Sequence, residues 1–205
     1  MMSSIKNIIF DLGGVVIDLD RERCVESFTK IGFPEADTLI DFYHPAEFFN
    51  RLERGEINTA EVCDIIRSSY PCKASNEEIS QAYSDFLAGI PLFKLRMIES
   101  LRSRGFKIYA LSNINEIVMP KVRQLFEADG KTMDDYFDKL YLSFEMKSLK
   151  PDAAIFEMLI EDSGIVPSET LYIDDSERNI EAGRAFGLQL YLASAHEDYS
   201  HLFEV

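Results

Sequence analysis

The sequence predicts an α/β fold: a Rossmann-like parallel sheet with helices on both faces, carrying a small all-α insertion. Three observations predict it. Short apolar segments alternate with amphipathic helical periods through the second half of the chain, which is the pattern of βαβ units with right-handed crossovers. Two of those helical periods open at a proline and close on a glycine, the expected polarity of helix punctuation. The stretch between the first two core strands is far longer than the dozen or so residues a crossover needs, and it holds several helical periods of its own.

The first strand is read at 5–11, where Ile8, Ile9 and Phe10 run into Asp11 and the chain then turns on Gly13 and Gly14. Further strands are expected at 106–112, 140–143, 170–174 and 188–193. Between them, 91–104 sets Leu92, Leu95, Ile98 and Leu101 on one helical face and stops at Gly105. Likewise 151–163 sets Ile155, Phe156, Leu159 and Ile160 on one face and stops at Gly164. The long connection reads as helices at 21–31, 46–54, 59–70 and 76–87, broken at 32–34, Gly55 and Pro71. The economical division is a core of residues 1–17 and 89–205 with a helical bundle of 18–88. That bundle would stand over the sheet edge where Asp11 emerges.

Composition narrows the function. With 205 residues, 46% of them hydrophobic, the chain can bury a substantial core. A net charge of −15 argues against nucleic acid or an anionic membrane as partner and obliges any anionic substrate to find local cations. Cys24, Cys63 and Cys72 lack a metal-ligand spacing and fit a reducing cytoplasm, with Cys63 read as core. The start shows no signal-peptide pattern, and no apolar run reaches the roughly 20 residues of a membrane span. A cytoplasmic monomer or weak homodimer is expected.

In a parallel sheet the residues just after each strand gather in one crevice. Here they are Asp11 with Gly13 and Gly14, then Ser112 and Asn113, then Lys150 before Pro151, then Asp174 and Asp175 with Asn179 further on. Each has a plain structural reading. Ser112 or Asn113 would cap a helix at 114–126, and Asp175 or Ser176 one at 177–186. Two adjacent carboxylates ending a buried strand exceed what one cap requires, however, and they repel unless a cation lies between them. Lys150 at a helix N-terminus opposes the macrodipole, which points to an anion nearby. Together, Asp11, Asp174 and Asp175 offer hard oxygen ligands for Mg²⁺, while Ser112, Asn113 and Lys150 offer donors and one positive charge to phosphate oxygens. A carboxylate beside such a cation can attack phosphorus and form an aspartyl-phosphate.

At this point the chain resembles the haloacid dehalogenase superfamily of aspartate-nucleophile phosphatases. Four segments carry the resemblance: Phe10-Asp11-Leu12-Gly13-Gly14-Val15, Leu111-Ser112-Asn113, Lys150-Pro151-Asp152 and Ile173-Asp174-Asp175. The insertion is similar to the cap of one branch, nearest the small bacterial sugar-phosphate phosphatases of the glucose-1-phosphate type. The resemblance implies Asp11 as nucleophile and Mg²⁺ ligand, the Gly13 carbonyl as a further ligand, and Ser112 as a hydrogen-bond donor to the phosphoryl group with Asn113 in support. It implies Lys150 pairing with nucleophile and phosphate, Asp175 as direct metal ligand, and Asp174 either direct or holding a metal-bound water. The implied substrate is a small phosphorylated metabolite, in particular a sugar phosphate.

One departure matters. Most phosphatases of the family carry an acid–base aspartate two positions after the nucleophile, where this chain has Gly13. Such a group contributes about 10²–10⁴-fold, so a slow enzyme is expected, or one that draws its proton from water or the cap. His44 and Arg54 are the cap's candidates for contacting substrate, against plain readings as a surface histidine and a solvated helix end. Asp18 and Asp20 follow the turn after Asp11, and Asp20 is read as the cap of the helix from Arg21. Two alternatives remain: a catalytically weak or silent phosphate-binding protein, and a metal-free 2-haloacid dehalogenase, which would not need Asp174 and Asp175.

Overall fold

The structure, a computed structural model, describes residues 4–39, 47–69, 73–127 and 130–203. Its centre is a five-stranded sheet made of β1 (Asn7–Phe10), β4 (Lys107–Ser112), β5 (Lys139–Leu142), β6 (Thr170–Asp174) and β7 (Gln189–Leu192). The strand order is β5-β4-β1-β6-β7 and every pairing is parallel. The first strand is therefore central, and the winding direction reverses between β1 and β6. A ligand crevice opens at such a switch point, outside the carboxyl ends of the strands.

Alternation along each strand sends side chains to both faces. Ile8, Phe10, Ile108, Ala110 and Ile173 join one apolar cluster, and Ile9, Tyr109, Leu111 and Tyr172 join another. Helix α10 (Ala153–Ser163) covers the second face with Ile155, Phe156 and Leu159, and α11 (Glu177–Ala185) with Ile180. The first face is covered by α6 (Leu92–Ser103), through Leu95, Ile98 and Leu101, and by Val122 of α7 (Met119–Leu125). Two short helices, α8 (Met133–Tyr136) and α9 (Ser143–Met146), flank β5.

Between β1 and α6 lie α1 (Arg21–Lys30), α2 (Ala36–Leu39), α3 (Glu47–Glu53), α4 (Thr59–Ser69) and α5 (Asn76–Ser84). Their apolar faces, including Cys24, Phe28, Phe49, Leu52, Val62, Cys63, Ile66 and Ile79, belong to the same cluster as the first face of the sheet. Asp20 caps α1 by accepting from the Arg23 amide, and Ser75 with Glu78 forms a capping box on α5.

Several expectations need correction. The insertion is not purely helical: β2 (Asp18–Leu19) and β3 (Leu87–Gly89) pair antiparallel as a ribbon at its base. The helix expected at 76–87 therefore stops at Ser84, because the chain must extend to reach Asp18 and Leu19. Leu92 is exposed rather than packed: it is the first residue of α6 and, with Phe93, faces outward, whereas Lys94 and Leu95 of the same turn are buried. Helix α10 begins at Ala153, so neither Pro151 nor Lys150 belongs to its first turn. The helix expected from 114 starts only at Met119.

The ribbon is anchored by Lys94, buried in α6. Its Nζ donates to the Val15 carbonyl at 2.7 Å and to Asp18 Oδ1 at 2.9 Å. Asp18 also faces His196 Nδ1 at 3.1 Å, so its carboxylate is turned to this network instead of the crevice. Both partners hold the Asp18 carboxyl below the ordinary carboxylate range against the opposing effect of burial.

Candidate active site

The crevice at the strand ends is a cavity of about 610 Å³. Asp11, Gly13, Ser112, Asn113, Lys150 and Asp175 line it from the core, and Glu53 and Arg54 from the end of α3. The strand-end residues singled out in the sequence thus converge. His44 lies outside the described residues.

Asp11 ends the central strand and is nearly buried. Its Oδ1 accepts the Leu12 amide at 2.6 Å and its Oδ2 lies 2.8 Å from Lys150 Nζ. The same ammonium lies 2.7 Å from Asp174 Oδ2. A buried cation is thus shared by the carboxylates that end β1 and β6, and a buried charge needs such pairing to be tolerated. Lys150 is held above the ordinary lysine range by Asp11 and Asp174, against burial, which pulls the other way. Lys150 lies ahead of α10 and is paired with carboxylates, so its charge is answered by Asp11 and Asp174 and not by an anion at the helix N-terminus.

The two neighbouring aspartates differ. Asp174 is wholly buried and stands behind the cavity wall. Its Oδ2 takes Lys150 and the Tyr172 hydroxyl, and its Oδ1 takes the Ser176 amide at 2.9 Å and the Asn179 amide at 3.0 Å. Burial opposes ionisation of Asp174, but Lys150 and these donors hold it below the ordinary range. Asp175 lines the cavity, and no side-chain partner among the described residues engages its carboxylate. Burial and the neighbouring Asp174 charge push it up. Neither aspartate caps α11, since Ser176 stands at the cap without a side-chain bond.

Asp11 itself is pushed up to about 7, by burial first, with Lys150 opposing and Asp174 and Asp175 adding. One ligand atom from each of Asp11, Asp174 and Asp175 lies within 4.8 Å of the others. Carboxylates this crowded repel until a cation joins them, and an all-oxygen set open to solvent on one side suits a hard divalent ion such as Mg²⁺. Gly14 shows how closely the chain is drawn in. It has φ +74°, and a Cβ there would collide with the Asp175 carboxylate.

Ser112 is buried at the end of β4, and no hydrogen bond to its hydroxyl from another described residue is present. Asn113 is engaged twice by one neighbour: its Nδ2 donates to the Lys150 carbonyl at 2.9 Å and its Oδ1 accepts the Lys150 amide at 2.8 Å. Asn113 is better read as fixing Lys150 than as capping a helix or presenting its amide to substrate. Arg54 pairs with Asp152 Oδ2 at 3.3 Å, bridging α3 to the turn before α10. Glu53 escaped the sequence reading altogether. Its only local signal was a charge at a helix end, which ordinarily means a solvated surface.

A parallel sheet wound about β1, with an aspartate ending that strand and a buried lysine shared with a second acidic strand end, defines the class. The chain belongs to the haloacid dehalogenase-like hydrolases, whose family profile matches residues 5–187. It is 39% identical over 188 residues to the D-ribitol-5-phosphate phosphatase of Bacteroides thetaiotaomicron, covering 91% of each chain. A haloacid dehalogenase-family enzyme of that bacterium, crystallised as an Asp-to-Ala mutant with magnesium and inorganic phosphate, superposes with a TM-score of 0.95. That match has 42% identity over 98% of this chain and 100% of the other. A related hydrolase structure from Porphyromonas gingivalis gives 0.89 at 33% identity, over 98% and 97% of the two chains.

Proposed function

We propose that this chain is a Mg²⁺-dependent phosphomonoester hydrolase acting through an aspartyl-phosphate on a small phosphorylated sugar or polyol. The observation that carries the reading is Lys150 Nζ at 2.8 Å from Asp11 and 2.7 Å from Asp174, beside an open Asp175. The relatives support it: one is a D-ribitol-5-phosphate phosphatase, and another was crystallised with magnesium and phosphate. The acidic cluster also disfavours the dehalogenase alternative, because halide displacement needs no site for a divalent cation.

Asp11, the Gly13 carbonyl and Asp175 would hold the ion directly, and Asp174, whose oxygens already accept four donors, would do so through water. When bound, Mg²⁺ supplies positive charge between the attacking carboxylate and the phosphate. Asp11, pinned by Leu12 and Lys150, presents its carboxylate to phosphorus from a fixed direction. Lys150 shields the like charges of nucleophile and ester, and the Ser112 hydroxyl donates to a phosphoryl oxygen. Asn113 holds Lys150 in register for both tasks.

Residues 18–88 act as a cap over a core of 1–17 and 89–205, with Arg54 facing the substrate from the cap wall and His44 as a second cap candidate. We place the protein in the cytoplasm as a monomer or weak homodimer; among the described residues no helix is long and apolar enough to cross a membrane. The test is hydrolysis of p-nitrophenyl phosphate and D-ribitol 5-phosphate with Mg²⁺ and with chelator. Release that needs Mg²⁺ is expected. No release at high enzyme concentration, or release indifferent to chelator, overturns the reading.

A further inference from the structure

An ester of a primary alcohol such as D-ribitol 5-phosphate expels a strongly basic alkoxide, which needs a proton as it leaves. Gly13 offers no acid at the position from which the family ordinarily supplies one. The carboxylates lining the cavity are Asp11, Asp175, Asp152 and Glu53. Asp11 attacks, Asp175 faces the metal position, and Asp152 is paired with Arg54. Glu53 is left over. Among the described residues, no hydrogen bond or ion pair engages its carboxylate.

We propose that Glu53, the last residue of α3, is the general acid and base of this hydrolase, delivered from the insertion in place of the missing carboxylate at Gly13. The proposal rests on the phosphatase reading above. The turn that follows α3 is tied to the core at two successive residues. Arg54 pairs with Asp152, and the Gly55 carbonyl accepts Lys147 Nζ at 2.8 Å. Gly55 has φ +60°, and a Cβ there would collide with the Phe144 carbonyl and the Lys147 ammonium. Glu53 is therefore carried on a short, pinned helix end, and a fixed position is what proton transfer requires. Opposite it stand the strand ends with Asp11 and Lys150, and beside it Tyr83 of α5, which feels the Glu53 charge. Burial first, then the Asp11 charge, with Lys150 opposing, push the Glu53 carboxyl up to about 7. Burial, the largest of these causes, does not depend on the metal and favours the protonated form that a general acid needs.

The steps balance. Asp11 attacks phosphorus, the ester P–O bond breaks, and the protonated Glu53 gives its proton to the departing oxygen, releasing the alcohol. The Glu53 carboxylate then takes a proton from water as that oxygen attacks phosphorus. The P–O bond to Asp11 breaks, inorganic phosphate leaves, and both carboxyl groups return to their starting forms.

The test compares wild type, Glu53→Gln and Glu53→Gln/Gly13→Asp on D-ribitol 5-phosphate and p-nitrophenyl phosphate with Mg²⁺, with intact-mass detection of phosphoprotein. For Glu53→Gln, kcat on the polyol ester is expected to fall about 10²–10⁴-fold, the usual worth of a general acid–base group. On p-nitrophenyl phosphate, whose leaving group needs no proton, a burst of p-nitrophenolate stoichiometric with enzyme should appear, with phosphoprotein accumulating as its breakdown slows. Gly13→Asp in that background should recover part of the polyol rate. Circular dichroism and calorimetric binding of inorganic phosphate with Mg²⁺ report that the variant is folded. A raised KM with kcat nearly retained would overturn the proposal in favour of a contact to substrate hydroxyls. Equal losses on both esters, without burst or phosphoprotein, would also overturn it. A wild type inactive on both esters would instead overturn the phosphatase reading and, with it, this role.

Discussion

Asp11, Asp174 and Asp175 look alike in sequence and differ in what surrounds each carboxylate. Asp174 is saturated by protein donors, Asp175 is open, and Asp11 shares one cation. Asp11→Asn is expected to abolish turnover while circular dichroism and melting show an intact fold; a variant as active as wild type would refute the nucleophile. The glycines after Asp11 separate in the same way. A Cβ on Gly13 would meet nothing nearer than Leu19 at 3.6 Å, ordinary van der Waals contact. Gly13→Asp is thus expected to fold and, because Glu53 already supplies the acid, to raise the rate on alkyl phosphates far less than it does in the Glu53→Gln background; a lost Mg²⁺ affinity by calorimetry would count against it. Gly14→Ala should fail, because its positive φ and the collision with Asp175 act together. We expect weakened Mg²⁺ binding and about 1–3 kcal/mol of lost stability from the strained backbone, read by titration and urea unfolding. The strand-end residues were legible because a strand that stops on a polar residue before a turn is a local pattern. The donors around Asp174 were not recognised as a set, since Tyr172, Ser176 and Asn179 converge on it only once β6 and α11 are placed.

At the scale of elements, regular segments with a full apolar period were readable and short ones were not. Helices α4 and α10 fall close to where their apolar spacing put them. The ribbon of β2 and β3 has two and three residues, too few to show a period of two, so its residues were absorbed into the helical insertion. Its integrity depends on Lys94 of α6, which reaches across to the turn and the ribbon. Lys94→Met is expected to lower stability by about 1–3 kcal/mol, because Asp18 and the Val15 carbonyl lose a buried donor while keeping His196 and the Tyr199 hydroxyl. Urea denaturation would check this, and a loss below about 1 kcal/mol would show a pair as weak as an exposed one.

For the whole molecule, the pattern of raised carboxyls makes stability and metal binding depend on pH together. Asp11 and Glu53 are both pushed up to about 7 in the metal-free fold, from ordinary values of 3.8 and 4.5. The folded chain therefore holds protons that the unfolded chain releases. Stability from these groups is full below about pH 4 and falls as pH rises toward 7. Binding a divalent ion requires Asp11 to be ionised, so Mg²⁺ affinity should weaken about tenfold per unit below pH 7 and level off above it. Melting curves from pH 5 to 8, with and without Mg²⁺, should show the largest Mg²⁺ stabilisation at the alkaline end. A stabilisation that grows toward acid would contradict the assignment of Asp11 to the metal.

The sequence by itself determined the alternation of strands and helices, the long insertion after the first strand and the crevice residues, because each is written in apolar spacing and in what ends each strand. Tertiary structure alone decided the unequal surroundings of Asp174 and Asp175, the pairing of Asn113 with the Lys150 main chain, and the arrival of Glu53 opposite Asp11. Those depend on segments far apart in the chain meeting at one sheet edge, and burial there alters the chemistry of groups that would be ordinary in water.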